Sequence, residues 1–263
     1  MNLLLSLIQL NSSDDLYDNL QRVIQYCQKS IKLGAKFIAL PEYAFQITHF
    51  TQTQIWDEGT PPAIRELKKL AMKNNVWIHG GSVTERANDG NIYNRSYVIS
   101  EKGIEGFYDK IHLFDASLGT ENIYRESSFY KAGNRVTVIK TPWGVIGLTI
   151  CFDVRYPWLY NELLKKGATI IFVPSAFSCI TGEAHWRTLI KARAIETQCF
   201  LIATAQCGMH ADGNRTYGHS LIANPWGDIL NVLGTEEGIL MYDMNLSQVY
   251  LYRTKIKMKH YWS

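Results

Sequence analysis

Long apolar runs are missing from this chain. No segment of its 263 residues approaches the ~18 consecutive apolar residues of a membrane span, so no membrane partner is expected. The apolar start, Met1-Asn-Leu-Leu-Leu-Ser-Leu-Ile-Gln-Leu10, lacks a basic leader and a small-residue cleavage site. It meets Asn11-Ser-Ser-Asp-Asp15 at once and reads as a buried first strand, not a signal peptide. Cysteine is also scarce: Cys27, Cys151, Cys179, Cys199 and Cys207, with no Cys-x-x-Cys pair. That excludes the usual structural zinc spacing and argues against a disulfide scaffold. A reducing, cytoplasmic setting is expected. An excess of one charge is lacking too, since 27 basic residues face 24 acidic ones. The only local basic excess is Lys255-Ile-Lys-Met-Lys-His260. Without a clustered basic stripe, no nucleic-acid partner is expected.

What remains is ordinary globular composition, 46% hydrophobic and 19% charged. No linker rich in Gly, Ser or Pro interrupts it, which predicts one domain over residues 1–263. Strand and helix patterns alternate, the mark of an α/β fold. Residues 2–9 read as a strand. Ser12–Ser13 are placed to cap a helix reaching Leu33, with Leu16, Leu20, Val23, Ile24 and Cys27 at helical spacing and Gly34 as its stop. Further helices are predicted over 62–73, 156–166 and 183–197. Strands are predicted over 37–40, 76–83, 92–99, 104–109, 136–139, 145–150, 169–173, 200–205 and 220–223, with a meander over 228–243. Residues 111–135 show no period, and loops of that length are commonly functional.

Three strand ends carry candidate chemistry. In open α/β sheets, ligands bind outside the carboxyl ends of strands. Phe37-Ile-Ala-Leu-Pro-Glu42 delivers a carboxylate there, a natural general base. Gly106-Phe-Tyr-Asp-Lys110 delivers an ammonium that can hold a negative oxygen. Val145-Ile-Gly-Leu-Thr-Ile-Cys151 delivers a thiol at a strand-to-helix elbow, where a helix N-terminus would favour the thiolate. The other cysteines read as buried core residues. Of the seven histidines, none has a spacing that singles it out as a Cys–His dyad partner or a metal ligand.

Several fragments occur in order: Leu40-Pro-Glu42, Lys110-Ile-His-Leu-Phe-Asp115, Tyr124-Arg-Glu-Ser127, Cys151-Phe-Asp-Val-Arg-Tyr-Pro157 and Thr181-Gly-Glu-Ala-His-Trp186. With Ala192-Arg-Ala-Ile-Glu196 and Tyr217-Gly-His-Ser220 they resemble the nitrilase, or carbon–nitrogen hydrolase, superfamily over nearly the whole chain. The resemblance implies a four-layer α-β-β-α sandwich and a homodimer or larger homo-oligomer. It implies a Glu42–Lys110–Cys151 triad, with Glu126 as a second glutamate and the Phe152 backbone N–H completing the oxyanion site. It implies no metal and no organic cofactor.

The segments Pro174-Ser-Ala-Phe177, Ala194-Ile-Glu-Thr-Gln-Cys199 and Ala205-Gln-Cys-Gly-Met-His210 resemble the deaminated glutathione amidase branch, with the omega-amidases as near relatives. Both imply cleavage of the amide of a 2-oxo-dicarboxylic acid, with release of ammonia or an amine. Arg155 is then expected to bind a substrate carboxylate, and Phe177 and Thr181 to line the pocket. Arg215 and His210, in a Gly-containing loop, are placed to reach a peptide-like substrate. Glu183 departs from the pattern, standing where relatives commonly have Pro, and the tail from Arg253 matches only loosely. The rival readings are a nitrilase or N-carbamoyl amide hydrolase, a Cys–His peptidase, and a binding protein that kept the fold.

Overall fold

The computed structural model describes residues 2–59, 61–118 and 123–258. Two sheets dominate it. The first is eight-stranded, in the order Gly238–Asn245, Asn2–Gln9, Phe37–Ala39, Trp77–His79, Ile92–Ser100, Val83–Arg86 and Trp56–Asp57, with Gly103–Asp109 also paired to Ile92–Ser100. The second is six-stranded, in the order Val138–Thr141, Gly144–Leu148, Ile170–Phe172, Phe200–Ala203, Leu221–Ala223 and Ile229–Val232. Each has parallel strands at its centre, joined by helical crossovers.

The side-chain period of two explains the layers. Leu3, Leu5, Leu7, Phe37 and Ala39 point into one core together with Ile146, Leu148, Ile170 and Phe172 of the other sheet. Phe37 and Phe172 stack across that seam with ring centroids 4.9 Å apart. The alternate residues Ile8, Ile38, Leu40 and Ile78 face outward instead, onto Val23, Cys27, Ile64 and Leu67 of helices α1 (Leu16–Lys32) and α2 (Pro62–Asn74). On the far side, α3 (Pro157–Lys165) and α4 (Cys179–Thr197) lay Leu159, Leu163, Trp186 and Ile190 on the second sheet. The result is the four-layer α-β-β-α sandwich.

Local differences from the sequence reading have clear causes. Asp15, not Ser12 or Ser13, caps α1, accepting from the Tyr17 and Asp18 N–H groups. The strand expected over 76–83 is two short strands broken at Gly80–Gly81. Gly81 has φ +65°, and a Cβ there would sit 2.1 Å from the Pro41 carbonyl oxygen, so only glycine fits. Helix α4 begins at Cys179 because the Ser178 hydroxyl accepts from the Thr181 N–H. The aperiodic 111–135 stretch contains a small hairpin, Asp115–Ser117 with Ile123–Arg125, while residues 119–122 lie outside the described residues. A second hairpin, Cys207–Met209 with Arg215–Tyr217, and a final helix α5 (Ser247–Lys255) were not expected from the pattern. The basic tail runs through Met258, and Lys259 and His260 lie outside the described residues. No described helix is long and apolar enough to cross a membrane.

The parallel strands of both sheets end on the same side of the sandwich. The Thr204 hydroxyl donates to the Leu40 carbonyl, and the Gln206 amide donates to the Glu42 and Tyr43 carbonyls, tying the two sheets together there.

Candidate active site

A pocket of about 360 Å³ opens at that shared end. Its floor is built by three strand ends. The strand Phe37–Ala39 runs into Pro41 and Glu42, Gly103–Asp109 into Lys110, and Gly144–Leu148 into Cys151. All three side chains are buried from bulk solvent yet line the same cavity. Glu126, from the short 3₁₀ turn Glu126–Ser128, joins them.

The Lys110 ammonium sits between two carboxylates. It donates to Glu42 Oε1 at 2.9 Å and to Glu126 Oε1 and Oε2 at 2.9 and 2.8 Å. Glu42 Oε2 accepts from the Ala176 N–H at 2.8 Å, which comes from the opposite sheet. Glu126 is held by the Tyr43 hydroxyl at 2.9 Å and the Phe114 N–H at 2.6 Å. Asn94 touches both acids from one nitrogen, donating to Glu42 Oε1 at 2.9 Å and Glu126 Oε1 at 3.3 Å. The Cys151 thiol lines the same cavity as Glu42, close enough for each to shift the other's ionisation.

Burial raises the Glu42 carboxyl above the usual carboxylate range; the Lys110 charge pulls it back and the Glu126 charge pushes it up again. Burial, and then the Glu42 charge, push the Cys151 thiol well above its ordinary value. Burial alone would lower the Lys110 ammonium, but Glu126 and Glu42 outweigh it and hold Lys110 well above its ordinary value. Burial and the Glu42 charge thus both act against a thiolate at Cys151. This corrects the expectation of a helix-stabilised thiolate. Cys151–Arg155 is a 3₁₀ turn, and α3 starts only at Pro157. Cys151 itself holds φ +46°, a left-handed conformation that a non-glycine residue adopts only when its surroundings enforce it.

The surroundings that enforce it centre on Asp153, which is fully buried. Asp153 accepts from the Ile150 N–H, the Tyr108 hydroxyl, the His112 N–H and His112 Nδ1. Trp158 Nε1, a donor only, gives its proton to His112 Nε2 at 3.1 Å, so His112 carries its own proton on Nδ1. This network joins the segment carrying Lys110 to the elbow carrying Cys151.

The remaining expected residues separate. Phe177 packs on Trp186, and Thr181 bonds Ser178; of these three positions it is Ser178 that lines the pocket. Arg155 lies over the Phe152 and Phe177 rings, 5.7 and 5.4 Å from their centroids, and meets His185 Nδ1 at 3.3 Å. It is not paired with Asp153 or Glu162, and it lies within electrostatic range of Cys151. His210 and Arg215 both line the pocket. His210 is held between the Ser12 carbonyl and the Thr216 hydroxyl. Glu183 is exposed. Cys27, Cys199 and Cys207 are buried away from the cavity, and burial raises the Cys27 thiol to about 12.

Asn94, Tyr43, Ser178 and Arg125 had not been singled out. Asn94 alone carried a signal, a polar residue on the same strand face as the buried Ser96 and Val98. Among the described residues, no three His, Cys, Asp or Glu side chains are grouped to hold a metal ion.

Known proteins resemble this chain over nearly its whole length. The carbon-nitrogen hydrolase family model matches residues 4–254. The deaminated glutathione amidase of Yersinia enterocolitica is 37% identical over 86% of this chain and 80% of its own. That of Dictyostelium discoideum is 36% identical over 94% of this chain and 89% of its own. Among solved structures, Saccharomyces cerevisiae Nit3, described as a member of branch 10 of the nitrilase superfamily, superposes with a TM-score of 0.89 at 27% identity, over 99% of this chain and 96% of its own. A cysteine, a lysine and two glutamates meet at the end of an α-β-β-α sandwich, and the match runs almost from end to end: the chain belongs to the carbon–nitrogen hydrolase family.

Proposed function

We propose that this chain is an amidase that hydrolyses the amide of a 2-oxo-dicarboxylic acid, deaminated glutathione foremost, through a thioester on Cys151. The observation that carries the reading is the shared cavity of Cys151, Glu42, Lys110 and Glu126. The names of the relatives that are 34–37% identical supply the substrate class.

The geometry supports the following steps. Substrate enters while Cys151 is a thiol. Glu42 takes the thiol proton as the sulfur bonds the amide carbon. Lys110 and the Phe152 N–H hold the oxygen that becomes negative. The tetrahedral species collapses, Glu42 returns the proton to the leaving nitrogen, and the amine departs. Water then attacks the thioester, again giving its proton to Glu42, and the acid and thiol are released. Glu126 takes no proton in this scheme; it fixes the Lys110 ammonium. Arg155 is the candidate for the carboxylate beside the reacting carbon, with Phe177 beneath it and Thr181 ordering Ser178 at the wall.

The proposal includes a single domain acting in the cytoplasm as a homodimer or larger homo-oligomer. A panel of amides tests the chemistry. Amine release from deaminated glutathione, or ammonia from 2-oxoglutaramate, supports it. Turnover of nitriles or N-carbamoyl amino acids with neither amide cleaved overturns it.

A further inference from the structure

The pocket has an electrostatic polarity that the catalytic cluster does not explain. Its floor holds two carboxylates, Glu42 and Glu126, against one ammonium, Lys110. Its rim holds two exposed guanidiniums, Arg125 and Arg215, with Asp212 the acid beside them. These arginines come from two separate hairpins, Ile123–Arg125 paired to Asp115–Ser117 and Arg215–Tyr217 paired to Cys207–Met209. The hairpins are joined by the Tyr124 hydroxyl, which donates to Asn214 Oδ1 at 2.8 Å. The two arginines are thus set on walls of one mouth by a direct hydrogen bond.

Among the described residues, neither guanidinium forms an ion pair; the arginine ion pairs belong to Arg22, Arg95 and Arg193. Asp212 is engaged by the Asn214 N–H and side-chain amide, at 3.0 and 2.8 Å. Asp115, within electrostatic range of Arg125, is engaged by the Ser127 N–H and hydroxyl. Arg215 lies within electrostatic range of the Cys179 thiol, as does Glu183.

We propose that Arg125 and Arg215 form a carboxylate-binding rim that selects an extended amide whose leaving group itself ends in a carboxylate. This rests on the amidase reading and deepens it. The acyl carbon must reach Cys151 at the buried floor, so whatever projects through the mouth is the leaving half. With the carboxylate of the acyl half assigned to Arg155, a second carboxylate on the leaving half is drawn to the rim, which fixes the direction in which such a substrate lies. A planar guanidinium matches a carboxylate geometrically, with two parallel N–H donors. The cavity volume lies within the range that encloses a ligand larger than a five-carbon acid amide. A short amide that releases only ammonia would leave the rim unused.

The test is a binding cycle in Cys151→Ala protein, which cannot acylate. Calorimetry compares deaminated glutathione with its C-terminal carboxamide, in the Cys151→Ala protein and with Arg125→Gln and Arg215→Gln added. The carboxylate should bind roughly ten- to a hundredfold tighter than the carboxamide. That ratio should fall toward one when both arginines are replaced. A ratio near one at the start, or a ratio that survives both replacements, overturns the rim. Cleavage by the unaltered enzyme is followed separately. A retained ratio with no amine released sinks the amidase reading and leaves the rim standing; release with no ratio does the reverse.

Discussion

Asn94 donates to Glu42 from the same amide nitrogen that reaches Glu126. It is buried, and its Oδ1 finds no partner among the described residues. Asn94 therefore serves to support negative charge on the two acids. Its removal and the removal of Glu126 should move the pH profile in opposite directions. Glu42 must be ionised to accept the thiol proton, and its carboxyl is already raised by burial. Activity is lost as pH falls through that raised value. Asn94→Ala removes a donor to the ionised form, so the acidic limb of kcat/KM should move up by about one pH unit or more. Glu126→Gln removes a neighbouring negative charge, so the limb should move down even as turnover falls. The limbs belong to the coupled cluster as a whole, and movement of both in the same direction contradicts this account.

Lys110 is expected to matter for stability as well as rate. Lys110→Met removes an oxyanion donor, a loss of roughly a hundred- to thousandfold in kcat. It also leaves Glu42 and Glu126 buried without their cation, which costs about 3–5 kcal/mol. Adding Glu126→Gln should restore much of the stability and none of the rate. Denaturant unfolding beside steady-state kinetics separates the two effects.

His79 lies between the sheets, stacked on Phe172 with ring centroids 5.1 Å apart, fully buried. Its ring nitrogens find no partner beyond its own backbone among the described residues, and burial lowers it to about 3. Unfolded histidine takes a proton near pH 6.5 that the native ring refuses. The stability this group supports is thus present above about pH 6.5 and is lost as pH falls toward 3. His79→Leu should abolish that dependence. Its advantage over the unaltered chain should grow by about 1.4 kcal/mol per pH unit below 6.5, measured by urea unfolding. A constant difference across that window refutes the assignment.

Gly81→Ala should destabilise the chain by about 1–3 kcal/mol or more, because both its φ and its contact with the Pro41 carbonyl forbid a Cβ. That carbonyl precedes Glu42, so kcat should fall as well. Gly90→Ala, also at positive φ but with nothing within 4 Å of its Cβ, should cost less and leave kcat unchanged.

How much of this was legible depended on where each residue sits along its strand. Glu42, Lys110 and Cys151 stand just past apolar strands, so their shared end could be read from pattern and motif together. Asn94 stands inside a strand, where its face is set by pairing with Val83–Arg86 and Gly103–Asp109, which the chain order does not disclose. Arg125 and Arg215 share one pocket mouth because two hairpins far apart in the chain are joined through Tyr124 and Asn214. The elbow at Cys151 implies a helix, whereas the residue opens a 3₁₀ turn and its burial pushes the thiol up. Phe177 and Thr181 were placed in the pocket from resemblance, but the strand-to-helix corner turns Ser178 inward instead.

The central claim is that Cys151 carries the acyl half of a 2-oxo acid as a thioester that Glu42 helps water to release. Mass spectrometry of a Glu42→Gln variant, exposed to deaminated glutathione and to an activated aryl ester of the same acid, tests it directly. The aryl leaving group needs no proton, and losing the Glu42 charge leaves Lys110 to favour the Cys151 thiolate, so the ester acylates even where the base is missing. The account predicts that the peptide containing Cys151 gains the mass of the 2-oxo acid less one water, and that the unaltered enzyme clears the same adduct. No adduct from either compound, or an adduct on Cys27, Cys179, Cys199 or Cys207 instead, would contradict it.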